Sequence, residues 1–265
     1  MNLSAYVSGI GVLGPGFNNW PHAKAILTGR ENWVRAPTEL PPPALLPPAE
    51  RRRTGRVVKL ALAVALEATR QARIEPGSLA SVFSASGSDG YVCHELCQVL
   101  ATAAREVSPT RFANSVHNAA SGYWSIATGA MAESNVVCAF DASFSAGLIE
   151  AMTQVQVDGK DILLVAYDTE YPEPLHSKRT IPDAFGIAMV LTCRPSESCE
   201  AKLTLQLSSR IADTLANADL EALRTVIPAA RGLPLLRNLA VGDSSWVALE
   251  YLPPRSAEVR VEPCG

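Results

Sequence analysis

Asp161 to Glu170 read DILLVAYDTE, and the stretch from Ile162 to Tyr167 is apolar without a break. A short continuous apolar run of this kind belongs to a strand buried on both faces. Only helices packed against both sides of a sheet can cover such a strand, so this segment calls for a layered α/β fold. The rest of the chain alternates accordingly. SAYVSGIGVLGPG gives a strand ending in a Gly-Pro-Gly turn, and NNWPHAKAILTGREN a short helix with Pro21 in its first turn and Gly29 just past its end. SLASVFSASGSDGYVCHELCQVLATAAREV repeats strand, glycine loop and helix, PTRFANSVHNAASGYWSIATGA adds a helix of small residues, and AFGIAMVLTCR an antiparallel strand.

Two segments break the pattern. Pro37, Pro41, Pro42, Pro43, Pro47 and Pro48 make the stretch from Ala36 to Glu50 an extended surface excursion. RRRTGRVVKLALAVALEATRQARI follows as a long, largely buried helix whose arginines form a solvated start. Near residue 195 the polar RPSESCE marks a seam. Beyond it come one strand (AKLTLQL), a helix with a Pro-Gly interruption, another strand (SSWVALEYL) and a tail.

Composition excludes several functions. A formal net charge of −3 offers nothing to nucleic acid, and no apolar run is long enough to span a membrane. The N-terminus lacks the basic and apolar regions of a signal peptide. The six cysteines show no disulfide framework for a chain of this length, which predicts reduced thiols and a cytoplasmic protein. Cys93 and Cys97 in CHELC share a helix face, but no second ligand pair lies nearby at zinc spacing, so packing is the better reading and no metal is expected.

NVVCAFDASFSAGLIEA, from Asn135 to Ala151, reads as a buried strand, a sharp turn and the start of a helix. Enzymes hold nucleophiles at such junctions, where a helix N-terminus stabilises an anion. The turn here carries Asp141, Ala142 and Ser143, with no cysteine among them. Ser143 needs a base to act, and His117 in SVHN is the candidate, although a hydrogen-bonded core or interface histidine is the better reading of it. Tyr123 and Trp124 sit in a helix and read as packing. Asp168 and Glu170 in YDTEYPEPL suggest either an acid/base pair or a capped strand end.

Several motifs, in order, resemble the N-terminal half of the β-ketoacyl synthases, the condensing enzymes of fatty acid and polyketide synthesis. They are YVSGIGVLGPGFNNWPHAKAILTGREN, KLALAVALEATRQARI, FSASGSDG, SVHNAASGYWSIATG, DGKDILLVAYDTE and PDAFGIAMVLT. The resemblance implies a thiolase-like layered α/β/α fold, with a complete N-terminal half over residues 1–195. Residues 196–265 would be a truncated C-terminal segment packing on it. Ungapped alignment through Gly159 puts Ala142 at the family's nucleophilic cysteine, and counting from Gly129 puts Asp141 there. The family's two active-site histidines lie in its C-terminal half, whereas His22, His94, His117 and His176 all precede residue 177. The resemblance therefore implies an elbow without its chemistry.

Within the family, such a chain is similar to chain-length factors, specifically the short ketosynthase-like subunits of the aryl polyene type. That likeness implies a non-catalytic subunit in a heterodimer with a catalytic β-ketoacyl synthase, reaching the acyl carrier protein through the complex and needing no cofactor. Val136, Val137, Cys138 and Phe140 would meet the partner, in a strand that would otherwise be internal to the chain. Cys93, Cys97, Val99, Phe112, His117 and Phe140 would line the acyl tunnel. The alternatives are a stand-alone acyl transferase or hydrolase using Ser143 with His117, and a carrier-protein-binding scaffold.

Overall fold

The computed structural model describes residues 2–264. In chain order the elements are β1 (Leu3–Leu13), α1 (Trp20–Leu27), α2 (Pro48–Arg51), α3 (Arg56–Ala72), β2 (Ala80–Ser84), α4 (Gly90–Leu100), α5 (Pro109–Asn114), α6 (Ala119–Thr128) and β3 (Ser134–Val137). Then follow α7 (Ser143–Asp158), β4 (Ile162–Asp168), β5 (Phe185–Thr192), β6 (Ala201–Ser208), α8 (Ala218–Val226), α9 (Leu233–Val241), β7 (Ser245–Glu250) and β8 (Ser256–Pro263). All eight strands form one mixed sheet in the order β3-β2-β4-β5-β1-β6-β8-β7.

β4 is buried along its whole length, as its apolar run requires. Ile162, Leu164 and Ala166 enter the core beneath α1, α7, α8 and α9, while Leu163, Val165 and Tyr167 enter the opposite core beneath α3 and α6. The result is a three-layer α/β/α arrangement. Close approach of α3 to β1 depends on glycine: a Cβ at Gly9 or Gly11 would lie 2.1 Å from the carbonyl oxygen of Ala68 or Val64. Where β6 stops pairing with β1 at Val7, side chains of α3 take over. Gln71 accepts from the Ile10 amide (3.1 Å), and Glu67 from the amides of Val12 (3.0 Å) and Trp20 (2.6 Å).

Several local expectations need correction. The arginine cluster precedes α3, which starts after Gly55, and Arg51 to Arg53 are exposed. The segment around His117 forms two helices, α5 and α6, with His117 in the turn between them. The tail is β8, an interior strand between β6 and β7, whose Ala257, Val259 and Val261 alternate into the core. Asn135 to Phe140 is not a buried strand: β3 ends at Val137 and forms the half-exposed edge of the sheet. Pairing of Ala201 with Pro263 brings Cys199 and Cys264, 65 residues apart in sequence, to a Cα separation of 5.8 Å, and they form a disulfide. The reading of all six cysteines as reduced therefore fails for this pair, and Cys93, Cys97, Cys138 and Cys193 are free.

Candidate functional site

β3 pairs in parallel with β2 alone. Ser81 donates to the carbonyl of Glu133 (2.9 Å) and Ala85 to that of Val137 (3.2 Å), so the odd-numbered residues turn their main chain inward. The amides and carbonyls of Ser134 and Val136 consequently face outward. Among the described residues none hydrogen-bonds to them. The side chain of Val136 packs toward the α3 side of the sheet and that of Val137 toward the α7 side, so the strand is fixed in place although its edge is open. Met131 beside it is 95 % exposed.

Past β3 the chain turns sharply into α7. Phe140 stands at the apex with φ 52°, in the left-handed region that an aromatic L-residue occupies at a cost of about 1–2 kcal/mol. A strained apex between strand and helix is the position that presents a nucleophile in enzymes with such an elbow. The apex is Phe140, while Ala142 lies two residues on, buried in a 3₁₀ turn. Ser143 is 1 % exposed and its hydroxyl is committed to the turn, accepting from the Ala139 amide (3.0 Å) and donating to the Phe140 carbonyl (2.7 Å). The Ser84 hydroxyl in β2 donates to the Ser143 carbonyl (2.6 Å), tying the elbow to the sheet.

An ion-pair network lies behind the apex. Arg179 reaches Asp141 at 2.7 Å, and its guanidinium sits 3.7 Å from the centroid of the Phe140 ring. Arg231 pairs with the other Asp141 oxygen (3.3 Å) and with Glu250. The buried Arg224 joins Glu250 (2.9 Å) to Glu221 (2.6 Å). Three arginines thus meet three carboxylates drawn from distant parts of the chain. Arg179, Arg224 and Arg231 carried no sequence signal, because their partners are acidic residues far away or part of an ordinary helix surface.

His117 and Ser143 do not form a pair. His117 lies near the Ala85 main chain, its Nε2 is buried without a partner, and burial pushes its pKa down toward the neutral form. Cys93 is half-buried, 3.1 Å from the Ser88 hydroxyl, with its thiol directed at the Ser115 carbonyl (4.0 Å), so α4 leans on the turn that carries His117. The Cys138 thiol donates to the Ser86 carbonyl (3.4 Å). Cys97 and Phe112 are exposed, and Val99 is half-buried. Trp124 is buried in the core and the Tyr123 hydroxyl meets Asn114 (3.1 Å), so both pack.

Asp168 and Glu170 turn to different partners. Asp168 Oδ1 accepts from the Ser86 amide (3.0 Å) and hydroxyl (2.5 Å), and Oδ2 from the Ala229 amide (2.8 Å). Glu170 pairs with Arg56 at 2.6 Å. The first is a capped strand end whose burial raises its pKa to about 6. No acid/base pair results.

The family model described as the N-terminal domain of β-ketoacyl synthase matches residues 27–248. The chain belongs to the β-ketoacyl synthase family. Its fold is similar to that of a chain in the ketosynthase ApeO in complex with its chain length factor ApeC from Xenorhabdus doucetiae, with a TM-score of 0.73 at 22 % identity, covering 97 % of this chain and 99 % of that one. A chain of the ishigamide ketosynthase/chain length factor matches with a TM-score of 0.71 at 14 % identity, over 99 % and 100 % of the two chains. A type II polyketide synthase acyl-carrier protein in complex with its ketosynthase bound to the hexaketide contains another match, with a TM-score of 0.73 at 10 % identity over 100 % of both chains. At these identities the likeness establishes the thiolase-like fold. No curated protein matches the chain in sequence. No helix among the described residues is long and apolar enough to cross a membrane.

Proposed function

We propose that this chain is a non-catalytic, chain-length-factor-like partner of a β-ketoacyl synthase in fatty acid or type II polyketide biosynthesis, of the aryl polyene type. It completes a cytoplasmic heterodimer with the catalytic subunit, limits the acyl tunnel and meets the acyl carrier protein through that complex. In this reading residues 1–195 are the ketosynthase-like half and residues 196–265 a reduced C-terminal segment. Val136, Val137, Cys138 and Phe140 meet the partner, while Cys93, Cys97, Val99, Phe112, His117 and Phe140 again face the tunnel.

The observation that carries the reading is an open sheet edge at β3 beside an elbow whose apex is a phenylalanine. An unpaired edge with apolar neighbours is a template for another strand. A phenylalanine at the apex supplies no thiol, and the hydroxyl of Ser143 is fully occupied in the turn. Both facts favour a binding subunit over a stand-alone transferase or hydrolase. The similar folds found in complexes of a ketosynthase with its chain length factor support the same reading.

Val136→Pro tests it. Proline removes one outward donor and leaves the inward ladder to β2 intact, a substitution that edge strands tolerate. The isolated variant should remain folded, while its association with a co-expressed ketosynthase falls by about tenfold or more, as expected from losing a hydrogen bond and strand fit together. Unchanged association would remove β3 from the interface.

A further inference from the structure

Phe140 combines two features that each oppose stability. Its backbone occupies the left-handed region, where glycine or asparagine would sit at ease, and its ring is 61 % exposed rather than packed in a core. Strain of this kind persists where the surroundings enforce it, and it clusters at sites of function. The surroundings here are explicit. Arg179 lies flat over one face of the ring, its own position is set by Asp141, and Asp141 is held from the other side by Arg231. Phe112 is similarly exposed, but it sits on α5 without a positive φ and without a clamp of this kind.

We propose that Phe140 is the side chain with which this subunit meets the growing acyl chain of its partner, and that Arg179 is the positioning residue that fixes the angle of the ring. The proposal rests on the pairing function above and selects one residue among its tunnel candidates. With a cation covering one face, the ring offers its remaining surface to a ligand with no donor or acceptor to satisfy, which means a hydrocarbon or conjugated chain rather than a polar head group. Phe140 follows the open strand by three residues, within about 10 Å of Val137 along the chain. Phe140 therefore stands next to any subunit paired on β3, within reach of a chain held at that interface.

The test is the mass distribution of carrier-bound products made by the reconstituted pair, measured alongside assembly by size-exclusion chromatography. Phe140→Ala should lengthen the products by at least one extension unit, and Phe140→Leu should do so less. Phe140→Gly guards against a folding defect: it relieves the backbone strain and should raise Tm by about 2–4 °C while still lengthening the products. Arg179→Met should broaden the distribution toward longer products without breaking the pair, and Arg179→Lys should restore part of the wild-type profile by returning a cation to the ring. Wild-type product lengths from an assembled Phe140→Ala or Phe140→Gly pair would overturn this proposal and leave the pairing function standing. Failure of the wild-type chain to assemble with any ketosynthase would overturn both.

Discussion

β7 ends the sheet on one side with each outward-facing residue holding at least one hydrogen bond, whereas β3 ends it on the other with Ser134 and Val136 turned out and unpaired. Along β7 the Trp246 carbonyl accepts from Asn238 (3.4 Å) and the Glu250 carbonyl from the Ser145 hydroxyl (2.6 Å). Ala248 is met twice, its amide donating to the Asp213 carboxylate and its carbonyl accepting from the Asp213 amide, both at 2.8 Å. Each outward-facing residue of β7 thus holds at least one such bond, while the amides of Trp246 and Glu250 have no partner among the described residues. A protein that works alone would seal both edges, since either could recruit a foreign strand. In the proposed pairing, the more open of the two edges is where the partner docks.

Asp168 joins these two regions, and the largest effect is expected there. It binds Ser86 beside the open edge and Ala229 in the segment that leads to β7. An unfolded aspartate titrates near pH 3.9, whereas burial raises this one to about 6. The folded state therefore holds the proton more tightly. The stability this group contributes is complete below pH 4 and is lost as pH rises through 6, by about 2–3 kcal/mol. Asp168→Asn should remove that slope from urea-unfolding stabilities measured between pH 4.5 and 7.5. An identical slope in the variant would show that Asp168 does not carry the raised pKa.

Opening the sealed edge comes next. Asp213→Ala leaves the Ala248 amide without its carboxylate partner, while the main-chain bond to the Ala248 carbonyl remains, and should cost about 1–3 kcal/mol. It should also give β7 the character of β3, seen as self-association of the isolated chain in sedimentation. A variant that stays as monodisperse as wild type would mean that hydrogen-bond closure is not what distinguishes the edges. A smaller effect is expected at the elbow. Ser143→Ala removes the hydroxyl that caps the turn and should lower stability by about 1 kcal/mol, with condensation by the assembled pair nearly unchanged. A fall in rate of about 10²-fold or more with the complex intact would assign Ser143 a chemical role.

The middle of the sheet was legible because burial on both faces leaves an unbroken apolar run, as in Ile162 to Tyr167. The periphery was harder to read. β8 alternates Ala257, Val259 and Val261 with Glu258, Arg260 and Glu262, and so soon after Pro253 and Pro254 it passes for a polar tail. The strain at the elbow was not legible: β3 has only four residues and a 3₁₀ turn intervenes before α7, and no local pattern in the sequence singles out Phe140 as the residue with positive φ. Arg179 and Arg231 could not be assigned from sequence, since Asp141, their common partner, lies 38 residues from the nearer of them. Long-range ion pairs leave no local pattern.

Amide hydrogen exchange of the peptide spanning Ser134 to Cys138, measured with and without the partner ketosynthase, tests the central claim most directly. Alone, the outward amides of Ser134 and Val136 should exchange quickly while the inward amide of Asn135 is protected. In the complex the outward amides should become as slow as Asn135, and the β7 peptide should not change. Rapid exchange of Ser134 and Val136 in a verified complex would contradict the account, because the edge would then remain open with the partner bound.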